Sequence, residues 1–154
     1  MELLEKIELY KKQEEECVFD SFDNETAWEI GCIIVNRAKK ENLKLLVDIV
    51  LNDQILFRYA QPRTTPSNAR MVARKQNVVK HAQMCSLRYG TQLQIEGKTL
   101  EDVKLDPEQY AAVGGGFPIT VKGEGIVGAI GVSGLIAADD HQVMVDAIKE
   151  YLSK

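Results

Sequence analysis

The chain has 154 residues, 45% hydrophobic and 27% charged, which fits one globular domain over residues 1–154 and excludes intrinsic disorder. No apolar run approaches the ~20 residues of a membrane span, and the opening MELLEKIELYKKQEEE lacks the apolar core of a signal peptide, so a cytoplasmic protein is expected. A net charge of −4 and a pI of 5.3 lack the basic footprint of a nucleic-acid binder, and the odd trio Cys17, Cys32 and Cys85 fits free thiols.

Leu3, Leu4, Ile7 and Tyr10 recur at helical spacing and predict an amphipathic helical extension over residues 1–16. A second helix is expected after Asp23 or Asn24, running to about Glu41 and burying Trp28, Ile30, Ile34, Val35 and Ala38. The run KLLVDIVLNDQILFRYA reads as a hairpin turning at Asn52-Asp53. Leu45, Val47, Ile49 and Leu51 form one face of its first strand, and Asp48 interrupts the other. After Pro62 and Pro66, Ser67 or Asn68 is expected to open a long helix reaching about Tyr89, with Gly90 as its stop signal. Residues 91–113 read as a polar, partly helical connection. PITVKGEGIVGAIGVSG then reads as two strands around Gly123-Glu124-Gly125, and Asp139 with Gln142 sits at capping-box spacing before a last helix. Local hairpins between helices predict an antiparallel sheet with helices packed against it.

The charge is divided along the chain. Residues 1–29 hold ten acids and three bases, whereas residues 54–95 hold seven bases (Arg58, Arg63, Arg70, Arg74, Lys75, Lys80 and Arg88) and no acid. Such a stretch calls for an anion, or for an acidic surface in the same chain or a neighbouring copy. Arg70, Arg74 and Lys75 stand near the start of the long helix, where cations oppose the helix dipole and need compensation. Gly114-Gly115-Gly116 permits backbone conformations that point N–H groups at an anion, with Phe117 and Pro118 as an apolar wall. These eight residues are the candidate ligand site.

Other motifs are weaker. Gly123-x-Gly125-x-x-Gly128 matches a dinucleotide fingerprint in spelling, but the β-branched residues after it oppose the required helix. Close helix packing is the preferred reading of the glycines Gly125, Gly128, Gly131 and Gly134. Asp139-Asp140-His141 makes a poor metal site, because adjacent side chains diverge, and capping accounts for Asp139.

AAVGGGFPITVKGEGIVGAIGVSGL followed by DDHQVMVDAI resembles the haem-degrading-domain family, which includes glycolate-operon G proteins, an extracellular haem-binding sensor and a domain fused to corrinoid adenosyltransferases. AWEIG, VDIVLNDQILFRYA and TPSNARMVARKQNVV resemble its short, stand-alone branch, so the likeness spans about residues 17–152. The resemblance implies a profilin-like α/β fold and assembly into a homo-oligomer, with haem bound by only some members. Val113 stands where the family often has histidine before the glycine triplet, and Met71 where the long helix often opens with tryptophan. Haem is disfavoured, since neither of the two histidines lies beside the glycine loop in sequence. The expectation is a binding domain for a small anionic ligand, with no reaction assigned. The alternative is a non-catalytic oligomeric adaptor presenting charged surfaces to protein partners.

Overall fold

A computed structural model describes residues 1–154. Helix α1 (Leu3–Glu16) is followed by a short strand β1 (Val18–Phe19) and helix α2 (Asn24–Glu41). The hairpin β2 (Leu46–Leu51) and β3 (Gln54–Ala60) turns at Asn52 and Asp53, both at positive φ. Helices α3 (Pro66–Ala82) and α4 (Ser86–Glu96) precede the second hairpin, β4 (Gly116–Val121) and β5 (Gly125–Ser133), and α5 (Ala137–Leu152) ends the chain. The five strands form one sheet in the order β1-β4-β5-β2-β3. Every pairing is antiparallel except that of β1 with β4.

The period of two along the strands decides the layers. Val47 opposite Val132, and Ile49 opposite Ile130, which itself faces Phe117, place their side chains on one face. That face joins Ile30, Ile34 and Ala38 of α2 and Met144 and Ile148 of α5 in the main core. The alternate residues face α3. There Asp48 lies opposite Gly131, which lies opposite Gly116. Gly131 lets α3 approach: a Cβ there would strike the Val72 side chain and stand 3.1 Å from Gln76 Nε2. The expected close packing of a helix thus holds at Gly131, whereas Gly128 and Gly134 are pressed instead against backbone carbonyls of Val50 and Lys44.

Several local expectations are corrected. Trp28 is not in the core: it is 58% exposed and meets Phe57 edge-on at 5.8 Å, because α2 lies over β3 at the edge of the sheet. The long helix is two helices, broken where Gln83 adopts a left-handed conformation (φ 59°) and caps α3. Thr65 is the N-cap of α3, Pro66 occupies its first turn, and Asn68 Oδ1 accepts the Thr65 N–H at 2.9 Å. Gly90 lies inside α4, where a Cβ would collide with the Ala112 carbonyl, and Gly97 (φ +67°) provides the stop. Asp139 caps nothing. Ile136 is the N-cap of α5, and the neighbouring Asp140 turns back to accept the Leu135 N–H at 3.0 Å.

Two glycine substitutions separate obstruction from backbone strain. At Gly114 a new Cβ runs into the Ala137 carbonyl of α5 and stands 2.9 Å from its carbon. That obstruction is backbone and cannot rotate aside, so Gly114→Ala is expected to cost about 3 kcal/mol, the upper part of the overpacking range. Gly97 meets nothing within 4 Å, so Gly97→Ala is expected to cost only about 1 kcal/mol of left-handed strain. Urea denaturation of both variants checks the contrast.

Candidate functional site

The eight candidate residues fall into two groups. Lys75 and the loop Gly114–Pro118 come together in the interior, where Lys75 is 2% exposed and the five loop residues are buried. Lys75 Nζ donates to the Val132 carbonyl at 3.0 Å and to Asp140 Oδ2 at 3.2 Å. A Cβ on Gly115, whose φ is +130°, would lie 2.5 Å from that Nζ. Ser86, the first residue of α4, donates its hydroxyl to the Val113 carbonyl at 2.6 Å and accepts the Gly116 N–H at 2.9 Å. The loop is therefore a packed seam between α3, α4 and α5, and the Gly116 N–H is already engaged. Burial pushes the Asp140 carboxyl up to about 6, against the opposing pull of Lys75, and lowers the Lys75 ammonium below its ordinary range.

Arg70 and Arg74 lie elsewhere. One turn apart on α3, they line a cleft of about 500 Å³ closed by Pro107, Glu108 and Gln109, and the glycine loop does not line it. Arg74 Nη2 donates to the Pro107 carbonyl at 2.7 Å, while its buried Nε has no partner. Arg70 is exposed. Elsewhere the basic stretch is compensated from within the chain: Arg58 pairs with buried Asp48, Lys80 with Asp53 at 2.9 Å, and Arg88 with Glu14. Arg63, Arg70 and Arg74 pair with no carboxylate. Helix α1 also supplies the N-terminus of α4, since Glu14 Oε2 accepts the Cys85 N–H at 2.9 Å.

His141 corrects the reading by sequence distance. It packs against the glycine loop, its Cβ 3.4 Å from the position of a Cβ on Gly114 and its ring 5.8 Å from Phe117. It is 2% exposed. Its Nε2 lies 2.7 Å from Gln13 Oε1, an acceptor, so Nε2 carries the proton and the buried Nδ1 is left without a partner. Nothing in the sequence spacing foretold this contact, because His141 and Gln13 belong to opposite ends of the chain.

A five-stranded sheet with α2 and α5 on one face and α3 on the other is the fold of a set of solved structures. The crystal structure of the Ybr137w protein superposes with a TM-score of 0.87 at 22% identity, covering 96% of this chain and 87% of that one. A double mutant of HbpS from Streptomyces reticuli gives 0.67 at 24% identity over 85% and 86% of the two chains. A PduOC:heme complex gives 0.66 at 16% identity over 83% and 91%. The chain belongs to the HbpS-like family, "Haem degrading protein HbpS-like", which matches residues 22–149. Its relatives include a UPF0303 protein of Pseudomonas entomophila, 41% identical over 96% of this chain and 83% of that protein. Another, from Serratia proteamaculans, is 38% identical over 99% and 95%. No helix is long and apolar enough to cross a membrane.

Neither histidine is placed as an open haem ligand. His141 is closed off by α1 and bonded through Nε2, His81 is exposed beside Tyr89 and Tyr110, and no histidine lines the clefts against α2, α3 and α5.

Burial lowers His141 to about 4, below the ordinary imidazole value of 6.5. The neutral ring therefore contributes stability above pH 6.5 that is lost as pH falls towards 4, about 3 kcal/mol in all. Asp140 acts in the opposite sense, its contribution being lost as pH rises through about 6. Comparison with a variant isolates the histidine: His141→Gln is expected to remove the acid-side loss, read from denaturation midpoints across pH 4–7.

Proposed function

We propose that this protein is a binding domain for a small carboxylate- or phosphate-bearing metabolite, held at the Arg70 and Arg74 cleft. The observation that carries the reading is that these two guanidinium groups line one cleft while neither has a carboxylate partner. A guanidinium offers two parallel donors that match a carboxylate or phosphate in fork geometry. Glu108 in the same cleft leaves a net charge of +1 and would disfavour a large polyanion. In this reading Lys75 and Gly114–Pro118 act as the support that fixes α3 beneath the arginines.

Arg70 is exposed, so its removal tests binding without disturbing the fold. In a thermal-shift series with inorganic phosphate, monocarboxylates and dicarboxylates, at least one anion is expected to raise the melting temperature of the wild type. Arg70→Ala is expected to weaken that anion about tenfold or more, the worth of one charge-assisted bond. A wild type that no anion stabilises, or an effect unchanged in Arg70→Ala, overturns the reading.

Self-association belongs to the same proposal. Carboxylates from the acidic first third of a second copy are also anions, and Arg63, Arg70 and Arg74 are the bases of the acid-free stretch that have no carboxylate partner within the chain. The expected outcome is a homo-oligomer in light scattering whose size falls as ionic strength rises. The alternative, a non-catalytic adaptor, has its own support in the groove between α2 and α5, where Trp28 stands exposed beside Arg37, Lys40 and Asp146. An adaptor predicts no anion dependence on Arg70.

A further inference from the structure

A second cleft, of about 360 Å³, lies on the other flank of α3, between that helix, the β2–β3 turn and the start of β5. Ala73 and Asn77 line both this cleft and the arginine cleft. Ala73 is exposed and has only a methyl group, so the two clefts meet over a low saddle. Arg70 and Lys80, at the outer limits of the two clefts, are ten residues apart on α3, about 15 Å along the axis.

The second cleft has a definite polarity. Val50, Val127 and Ala129 supply apolar wall. Gln76, Asn77 and Gln83 from α3 and its cap, together with Asn52, Asp53 and Lys80, supply the polar groups, and the amides of the first three each have their nitrogen engaged. Gln76 Nε2 donates to the carbonyls of Asp48 (3.3 Å) and Ala129 (3.4 Å), Asn77 Nδ2 to that of Gln109 (2.7 Å) and Gln83 Nε2 to that of Lys80 (2.9 Å). A backbone carbonyl only accepts, so these contacts fix which way each amide points. Their three amide oxygens are open acceptors with the exposed Asp53 carboxylate beside them, and the exposed Asn52 amide and the Lys80 ammonium stand at the same cleft. A ligand body that satisfies the three oxygens and Asp53 must be rich in donors and carry apolar faces.

We propose that the two clefts form one bipartite site for a nitrogen heterocycle that presents several N–H donors and carries a carboxylate or phosphate. The heterocycle occupies the acceptor-lined cleft, and its anionic group crosses Ala73 to Arg70 and Arg74. The proposal rests on the anion reading above and specifies the ligand class of that site. The Lys80–Asp53 pair at the heterocycle end is 71% and 79% exposed, so it opens readily to admit a donor to Asp53.

Guanosine monophosphate and a pterin carboxylate are suitable probes, because both present such a donor edge and differ in the anion. Calorimetric titration compares them with guanosine and inorganic phosphate alone, on wild type, Arg70→Ala and Ala73→Trp, the last placing a bulky ring on the exposed saddle. The expected result is that at least one bipartite probe binds wild type about tenfold or more tighter than guanosine or phosphate, as linked groups do. Ala73→Trp is expected to abolish that gain, so that the probe binds the variant no tighter than guanosine or phosphate does, and Arg70→Ala to reduce the probe to the affinity of guanosine. If both probes bind no tighter than phosphate, or Ala73→Trp leaves the gain intact, the bipartite site is overturned and an Arg70-dependent phosphate response still upholds the anion reading. If phosphate and short carboxylates never bind, while guanosine does, both the anion reading and the bipartite site fall.

Discussion

Lys75 carries its ammonium into the interior and joins parts of the chain that are far apart in sequence. Moving such a charge out of water costs several kcal/mol, and here the cost is offset only because both charges are solvated by the protein. The ammonium donates to the Val132 carbonyl at the end of β5 and to Asp140 in α5. The other Asp140 oxygen accepts the Leu135 N–H. Truncating either partner leaves an unpaired buried charge, a change that typically costs about 3–5 kcal/mol. The glycine triplet follows from the same constraint: Gly115 sits so close to Nζ, and Gly114 so close to the start of α5, that neither position has room for a Cβ.

The surrounding elements are arranged on this seam. Ser86 bonds both ends of the glycine loop, which sets the start of α4 and forces the chain to turn at Gln83. Helix α1 then locks α4 through Glu14, which takes both the Cys85 N–H and the Arg88 guanidinium, and it covers His141 with Gln13. Carboxylates from four different elements or turns thus neutralise Arg58, Lys75, Lys80 and Arg88. The acid-free stretch is largely an internal electrostatic partner of the rest of the chain, and only the part left over faces solvent as candidate binding surface.

That remainder distinguishes the outward surface of α3 from its inward one. Val72, Lys75 and Val79 turn inward, whereas Arg70, Ala73 and Lys80 turn outward. A helix with 3.6 residues per turn separates neighbours by about 100°, so Arg74 and Lys75 serve different sides although they are adjacent. The structural likeness to HbpS and to a PduOC:heme complex is a likeness of fold at 24% identity or less. The arrangement around His141 in this chain is a closed, hydrogen-bonded core.

The sequence by itself determined the types of the elements other than the short edge strand β1, both hairpins, the alternation that puts Val47 and Ile49 on one face and Asp48 on the other, and the family. These are local or periodic properties: turn residues and a period of two are set within a few positions. It also singled out Arg70, Arg74, Lys75 and the glycine triplet as one candidate site. It did not divide them, because Arg70, Arg74 and Lys75 are alike in charge and nearly adjacent, and only the position of Asp140 makes one of them internal. Nor did it show the break at Gln83, since Met71, Val78, Ala82, Cys85 and Tyr89 keep helical spacing straight through it. The break is imposed from outside the segment, by Ser86 bonding a loop thirty residues away and by Glu14 seventy-one residues away. Charge compensation and close backbone approach are pairwise and long-range, so tertiary structure alone decided which basic residues hold the fold together and which are left without a carboxylate partner.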